Sequence, residues 1–210
     1  MGRAGGQARA SNDFWAEKAK HDGYPARSVY KLEEILNKTS LITKQALVLD
    51  LGAAPGSWSL FLSRVYQARV ISCDLKPLQL PQKPKGITMV QGDFFTDEIM
   101  AKLQSYAPFA AVVCDAAPST TGDRLVDCGR SYHLAARSLE LARLLLQPSG
   151  GFITKMFAGG DEQELITLAK SYFTSVKIMR PKAVRKESFE FYIVAKGFIA
   201  SAQKETTESS

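Results

Sequence analysis

Three charged residues sit where strand-forming residues are expected. Lys155 lies inside "GFITKMF", Glu190 inside "FEFYIVAKG", and Asp115 closes the apolar run of "VVCDAAPS". An unpaired charge buried in a sheet costs several kcal/mol, so charges in such runs call for partners or for a task. A lysine between carboxylates can take a proton when neutral or, as a cation, balance negative charge growing on an oxygen. A purely structural Asp, Lys and Glu network tying strand ends together accounts for the same residues, since such networks also perturb ionisation.

A second group of residues is shaped for a ligand. The apolar run "ALVLDL" turns through Gly52, Ala53, Ala54, Pro55 and Gly56 into the helix-period segment "GSWSLFLSRVY". A dinucleotide fingerprint needs G-x-G-x-x-G with amides free to approach a pyrophosphate. Here only Gly52 and Gly56 occur, and Pro55 has no N–H to offer. No G-x-x-x-x-G-K-[ST] loop occurs either. A ligand without phosphates that still needs close backbone approach fits better, and S-adenosylmethionine is the common one. Asp74, 22 positions after Gly52, closes the next strand, where an acid can take both hydroxyls of an adenosine ribose. Asp93, in "QGDF", then receives the adenine amino group, with Phe94 against the ring. Taken singly, Asp74 and Asp93 also read as caps of the segments that follow them. Three ligand-shaped features at three successive strand ends favour the ligand.

The elements that must position these residues are legible in the periodicity. Runs rich in Val, Ile and Phe recur at "ALVLDL", "ARVISCDL", "GITMVQGD", "FAAVVCDA", "GFITKMF", "SVKIMRP" and "FEFYIVAKG". Helix-period segments lie between most of them, at "GSWSLFLSRVY", "TDEIMAKLQSY", "YHLAARSLELARLLLQ" and "DEQELITLAKSYF". Alternation from residue 46 to 173 predicts an α/β fold with a mainly parallel sheet. The last two strands have no helix between them, which predicts that they are antiparallel and that one reversed strand lies near the sheet edge. Ligands of open α/β sheets sit beyond the carboxyl ends of the parallel strands, where Asp115 and Lys155 fall. The start of a reversed strand reaches the same edge, which brings Glu190 to them. Upstream, "ARSVYKLEEILNK" predicts a helix with Val29, Leu32, Ile35 and Leu36 on one face and Arg27, Lys31 and Lys38 nearer the other. By its own pattern Lys31 is a helix-surface lysine. The segment "KPLQLPQKPKG" reads as a surface loop.

Composition limits what such a site can serve. The chain has 210 residues, 45% of them hydrophobic, enough for one core. We expect a single domain over residues 13–198, between a flexible basic arm at 1–12 and a solvated tail at 199–210. The net charge of +6 is compatible with a polyanionic partner. Three cysteines, Cys73, Cys114 and Cys128, show neither a disulfide framework nor a zinc-ligand spacing, so no metal is expected and a reducing cytosol fits. No apolar run approaches the roughly 20 residues that span a bilayer. The first residues lack the apolar segment of a secretory signal, so we expect a cytoplasmic protein without a membrane partner.

The ordered motifs "GYPARSVYKL", "DLGAAPGSWS", "CDL", "QGDF", "CDAAPS", "GGFITKMF" and "SFEFYIVA" resemble the FtsJ-type family of 2′-O-ribose RNA methyltransferases over about residues 13 to 198. The resemblance implies a Rossmann-like methyltransferase fold, a seven-stranded and mostly parallel sheet with one antiparallel strand near its edge. It implies a catalytic Lys-Asp-Lys-Glu tetrad on Lys31, Asp115, Lys155 and Glu190. It also implies S-adenosylmethionine contacts at Gly56, Trp58, Asp74, Asp93 and Asp115, with Gly52 and Pro55 shaping the loop. Ser57 stands where the family usually has a second consecutive glycine, Ser119 replaces a frequent asparagine, and Glu187 and Phe189 fall in a segment that is often more basic. The compact form implies ribosomal RNA of the large subunit as substrate. A tRNA 2′-O-methyltransferase and a catalytically silent RNA-binding assembly factor are the alternatives. Basic residues before and after the sheet, among them Arg27, Lys38, Lys182 and Arg185, are the expected RNA contacts, together with Arg3 and Arg9 of the arm.

Overall fold

The computed structural model describes residues 14–80, 84–160 and 162–199. The arm expected at 1–12, the tail beyond residue 199 and the middle of the proline-rich loop, 81–83, lie outside the described residues. Seven strands form one sheet: β1 (Leu47–Leu51), β2 (Arg69–Asp74), β3 (Ile87–Gln91), β4 (Phe109–Cys114), β5 (Leu146–Phe157), β6 (Phe173–Met179) and β7 (Glu190–Phe198). Their order is β3-β2-β1-β4-β5-β7-β6. β1 to β5 pair in parallel, and β7 runs antiparallel to both β5 and β6. The reversed strand expected near the edge is therefore next to last. β6 is the outer strand.

The helices are α1 (residues 14–21), α2 (Val29–Thr39), α3 (Ser57–Tyr66), α4 (Asp97–Gln104), α5 (Arg124–Leu145) and α6 (Glu162–Tyr172). Strand side chains alternate between faces, so each strand feeds two cores. Leu49, Leu51, Val112, Phe152 and Ile193 pack under α4, α5 and α6. Val48, Val70, Val113, Ile153 and Val194 pack under α1, α2 and α3. Two elements are longer than their sequence patterns. α5 begins at Arg124, eight residues before "YHLAARSLELARLLLQ", because Asp123 caps it: its carboxylate accepts from the amides of Leu125 and Val126 at 2.9 and 3.3 Å. Leu125 and Val126 are exposed, so that first turn carries no apolar period to read. β5 begins at Leu146, directly after α5, where Leu146 pairs with Phe109.

Among the described residues, one carboxyl group of the sheet is fully buried. Asp50, on β1, faces α3; its Oδ2 accepts from Ser59 Oγ at 2.5 Å, and Ser59 Oγ lies 2.8 Å from Ser72 Oγ. Its Oδ1 has no hydrogen-bond partner among the described residues. Burial pushes the Asp50 carboxyl up to about 7, helped by the charges of Asp115 and Asp74 and opposed by the Ser59 hydroxyl. Between pH of about 4 and 7 the folded state thus keeps a proton that the unfolded chain has lost. The stability from Asp50 is full below about pH 4 and drains as pH rises toward 7. We expect Asp50→Asn to flatten the thermal midpoint across that window, and at pH 8 to equal or exceed the parent, by about 1 to 3 kcal/mol.

Candidate active site

Strand alternation decides which face the charged residues share. Val113 and Ile153 face the core under α2 and α3; Asp115 and Lys155 follow them by two positions and face the same way. On β7, Tyr192 and Glu190 precede Val194 by two and four positions, and they share its face. Register completes the placement, because Lys155 stands opposite Tyr192 and Phe157 opposite Glu190. α2 then brings Lys31 down onto Glu190. Lys31 is only 9% exposed, which corrects its expectation as a helix-surface lysine: one turn of α2 faces the sheet edge, and the apolar period of that helix does not register it.

Lys155 Nζ lies 2.5 Å from the Asp115 carbonyl oxygen and 3.0 Å from Asp115 Oδ1. Asp115 Oδ1 also accepts from the Tyr192 hydroxyl at 2.7 Å. Lys31 donates to and is ion-paired with Glu190 Oε1, and its ammonium sits 5.9 Å from the centre of the Tyr192 ring. Tyr192 therefore lies between the two ion pairs. Burial works to raise the Asp115 carboxyl, but Lys155, Lys31 and the Tyr192 hydroxyl outweigh it and hold the group below its usual range. Burial, with the nearby charges of Asp115 and Glu190, pushes the Tyr192 phenol well above its ordinary value, so it remains a donor. Sequence reasoning missed Tyr192. Its signal was available in "FEFYIVA": two positions after Glu190 on a strand means the same face.

Beside Asp115 a cavity of about 480 Å³ opens at the carboxyl ends of β1 to β4. Gly52, Asp74, Asp93, Phe94 and Asp115 line it, as do Leu75 and Phe95. A methyl group on Gly52 would come within 2.6 Å of the Ala116 backbone, so only glycine leaves the turn this close to β4. Asp74 accepts from the amides of Ala54 at 3.0 Å and Lys76 at 2.8 Å, and Asp93 Oδ1 from the amide of Phe95 at 3.0 Å. Each carboxylate is thus held in place and keeps lone pairs for a ligand. Phe94 and Phe95 stack with centroids 5.1 Å apart beside Asp93. A ribose with two hydroxyls and a flat base fit this arrangement.

Pro55, Gly56 and Trp58 stand behind the cavity instead of lining it. The Pro55 carbonyl accepts from the Gln79 amide at 2.9 Å, and Gly56 leaves room for Leu80. The indole of Trp58 is buried, donates to the Ser28 carbonyl at 2.8 Å and packs on Tyr192 at 5.9 Å. Ser57 Oγ accepts from the Ala26 amide at 2.8 Å. Trp58 and Ser57 therefore pin the segment before α2 to the start of α3.

A second cavity, about 410 Å³, opens on the other side of the ion pairs, lined by Arg27, Lys31, Arg185, Ser188 and Glu190. The structure brings the four candidate RNA contacts to one face. Arg27 donates to the Ala183 carbonyl at 2.6 Å. Glu34 takes the Lys182 amide at 2.7 Å and pairs with Lys38 at 2.6 Å. Arg180 closes the loop between β6 and β7 by donating to the carbonyls of Arg185, Lys186 and Ser188.

A doubly wound sheet with a reversed seventh strand, a cavity at its carboxyl edge lined by Asp74, Asp93 and Asp115, and a lysine–carboxylate pair through Asp115 belong to the nucleotide-binding α/β class of folds. Comparison with known proteins narrows the class. The model of the FtsJ-like methyltransferase family matches residues 24–198, and this chain belongs to that family. It is 41% identical over 188 residues to the ribosomal RNA large subunit methyltransferase E of Treponema denticola, covering 89% of this chain and 94% of that protein. The protein of the same name from Borreliella afzelii is 42% identical over 188 residues, covering 89% and 98%. Among solved structures, a ribosomal RNA methyltransferase from Plasmodium falciparum superimposes with a TM-score of 0.72 at 27% identity, covering 83% of this chain and 98% of that one.

The Tyr192 hydroxyl gives a direct test of the electrostatics. Tyr192→Phe removes a donor from an ionised acceptor and should destabilise the protein by about 1.5 to 3 kcal/mol at pH 7. Because the Asp115 carboxyl is held low, its contribution is present above about pH 4 and is lost as pH falls through its folded value. The variant should lose it at a higher pH than the parent, read as the urea midpoint between pH 2 and 7.

Proposed function

We propose that this protein transfers the methyl group of S-adenosylmethionine to a ribose 2′-hydroxyl of RNA, with large-subunit ribosomal RNA, the substrate named for its relatives, as the acceptor. The observation that carries this reading is the position of the ion pairs between two cavities. Asp115 lines the adenosine-shaped one, and Lys31 and Glu190 line the other. A donor held in the first and an acceptor nucleotide in the second meet at Lys155.

Bound S-adenosylmethionine supplies an electrophilic methyl carbon on a sulfonium. Asp74 holds the ribose hydroxyls and Asp93 the adenine amino group, while the Phe94 and Phe95 pair flanks the ring. Alignment of acceptor oxygen and methyl carbon is the largest demand and accounts for about 7 to 11 kcal/mol in well-oriented systems. Lys155 donates to both oxygens that face it, which suits an ammonium that orients the acceptor hydroxyl and balances its charge as the proton leaves. Lys31 and Glu190 fix the acceptor ribose from the far side. Arg27, Lys38, Lys182 and Arg185 take the phosphates. A cytoplasmic place of action, in keeping with three free, buried cysteines, belongs to the same proposal.

Lys155→Ala should lower methyl incorporation from radiolabelled S-adenosylmethionine into unmodified large subunits by about 1,000-fold or more, with cofactor binding retained. Normal turnover in this variant refutes the assignment. The label should map to a ribose, read as a bond resistant to alkali; label on a base overturns the reading, and label only on tRNA moves the acceptor. Replacing Lys182 and Arg185 together by Ala should flatten the slope of log affinity against log salt by about two units.

A further inference from the structure

A third cavity, about 500 Å³, lies between α1, the turn before α2 and the loop after β2. Ala26 and Arg27 line both this cavity and the one that holds Lys31 and Glu190, so the two hollows adjoin across one short segment. That segment is fixed. The Ala26 amide is held by Ser57 Oγ, the Ser28 carbonyl by Trp58, and Arg27 by the Ala183 carbonyl. The other walls are pinned as well. Arg64 donates to the carbonyls of Asp22 and Gly23 at 3.4 and 3.3 Å and lies 5.4 Å from the Tyr24 ring centre. The Gln79 amide is bound to Pro55, and Leu80 fills the space that Gly56 leaves.

Building on the proposed function, we infer that this third cavity receives the base of the RNA nucleotide directly adjoining the acceptor, turned out of the stack. The lining chemistry suits that occupant. Ala16, Ala19 and Leu80 give an apolar wall for a ring, the Gln79 side chain can meet a base edge, and Lys20 and Arg27 place positive charge at the mouth. Arg27, shared by both hollows, stands where the phosphate linking two such nucleotides passes. A single-stranded chain seated this way has one nucleotide in each cavity and its backbone along Lys20, Arg27 and Arg185. The acceptor ribose is then held by its neighbour as well as by the ion pairs.

The test uses the full-length protein and a single-stranded RNA decamer carrying 2-aminopurine, whose fluorescence rises when the base leaves the stack. The parent should bind with a severalfold rise. Ala16→Trp, made at an exposed helix position that faces the cavity, should abolish the rise and weaken binding roughly tenfold. Lys20→Ala should retain the rise, weaken binding severalfold and reduce the salt slope by about one. Cofactor affinity, read at the other cavity, reports that each variant is folded. A parent that binds the decamer without a fluorescence rise, or an Ala16→Trp protein that binds it as the parent does, overturns the inference. A fluorescence rise lost in Ala16→Trp, in a protein that labels no RNA ribose, would instead retain the cavity assignment and remove the methylation reading.

Discussion

The contact on which the rest of the molecule depends joins Lys155 to Asp115, which offers the lysine both its backbone carbonyl and its carboxylate. Lys155 is 6% exposed, and a charge so placed is tolerable only if its neighbours replace the water it has lost. Asp115 does part of this, and Tyr192 then occupies the carboxylate from the other side. The second pair, Lys31 with Glu190, brings the group to two cations and two anions. Removing any one would strip its partner of its nearest opposite charge. The tetrad is therefore a structural unit first, and the catalytic role proposed for it falls on that same unit.

The reversed direction of β7 is the topological condition for that unit. Were β7 parallel to β5, its first residue would lie at the amino edge of the sheet, far from Asp115 and Lys155. Because it returns antiparallel, Glu190 comes opposite Phe157 at the carboxyl edge and Tyr192 opposite Lys155. The site then divides the edge, with the adenosine-shaped cavity on the β1 to β4 side and the basic hollow between α2 and the last loop. That loop is shaped by Arg180 and by Glu34, so its basic residues are presented on a formed surface.

Two positions where this chain departs from the pattern it resembles, Ser57 and Phe189, have local physical accounts. Ser57, in place of a second glycine, supplies the hydroxyl that binds the Ala26 amide, a bond glycine cannot make. Phe189, in a segment often more basic, packs edge-on against Phe157 at 4.8 Å and lies 5.1 Å from the Arg124 guanidinium. The strand end beside Glu190 is thereby closed with apolar surface, and the arginines lining the hollow with Glu190 are Arg27 and Arg185.

Much of this was legible in the chain itself. Period-two runs and the missing helix before the last strand determined the sheet, its reversed member and the edge at which Asp115, Lys155 and Glu190 meet, because alternation and short connections leave few ways to arrange them. Gly52, Asp74 and Asp93 marked the cavity at the carboxyl edge for the same reason, since residues at successive parallel strand ends must converge. Folding alone decided what long-range packing controls. Lys31 is buried by a sheet edge more than 150 residues away, with Glu190 as partner. Tyr192 became the link between the pairs, and Gly56 and Trp58 were set behind the cavity instead of in it. No periodicity encodes such contacts, because a side chain's charge state and burial depend on which distant element closes over it.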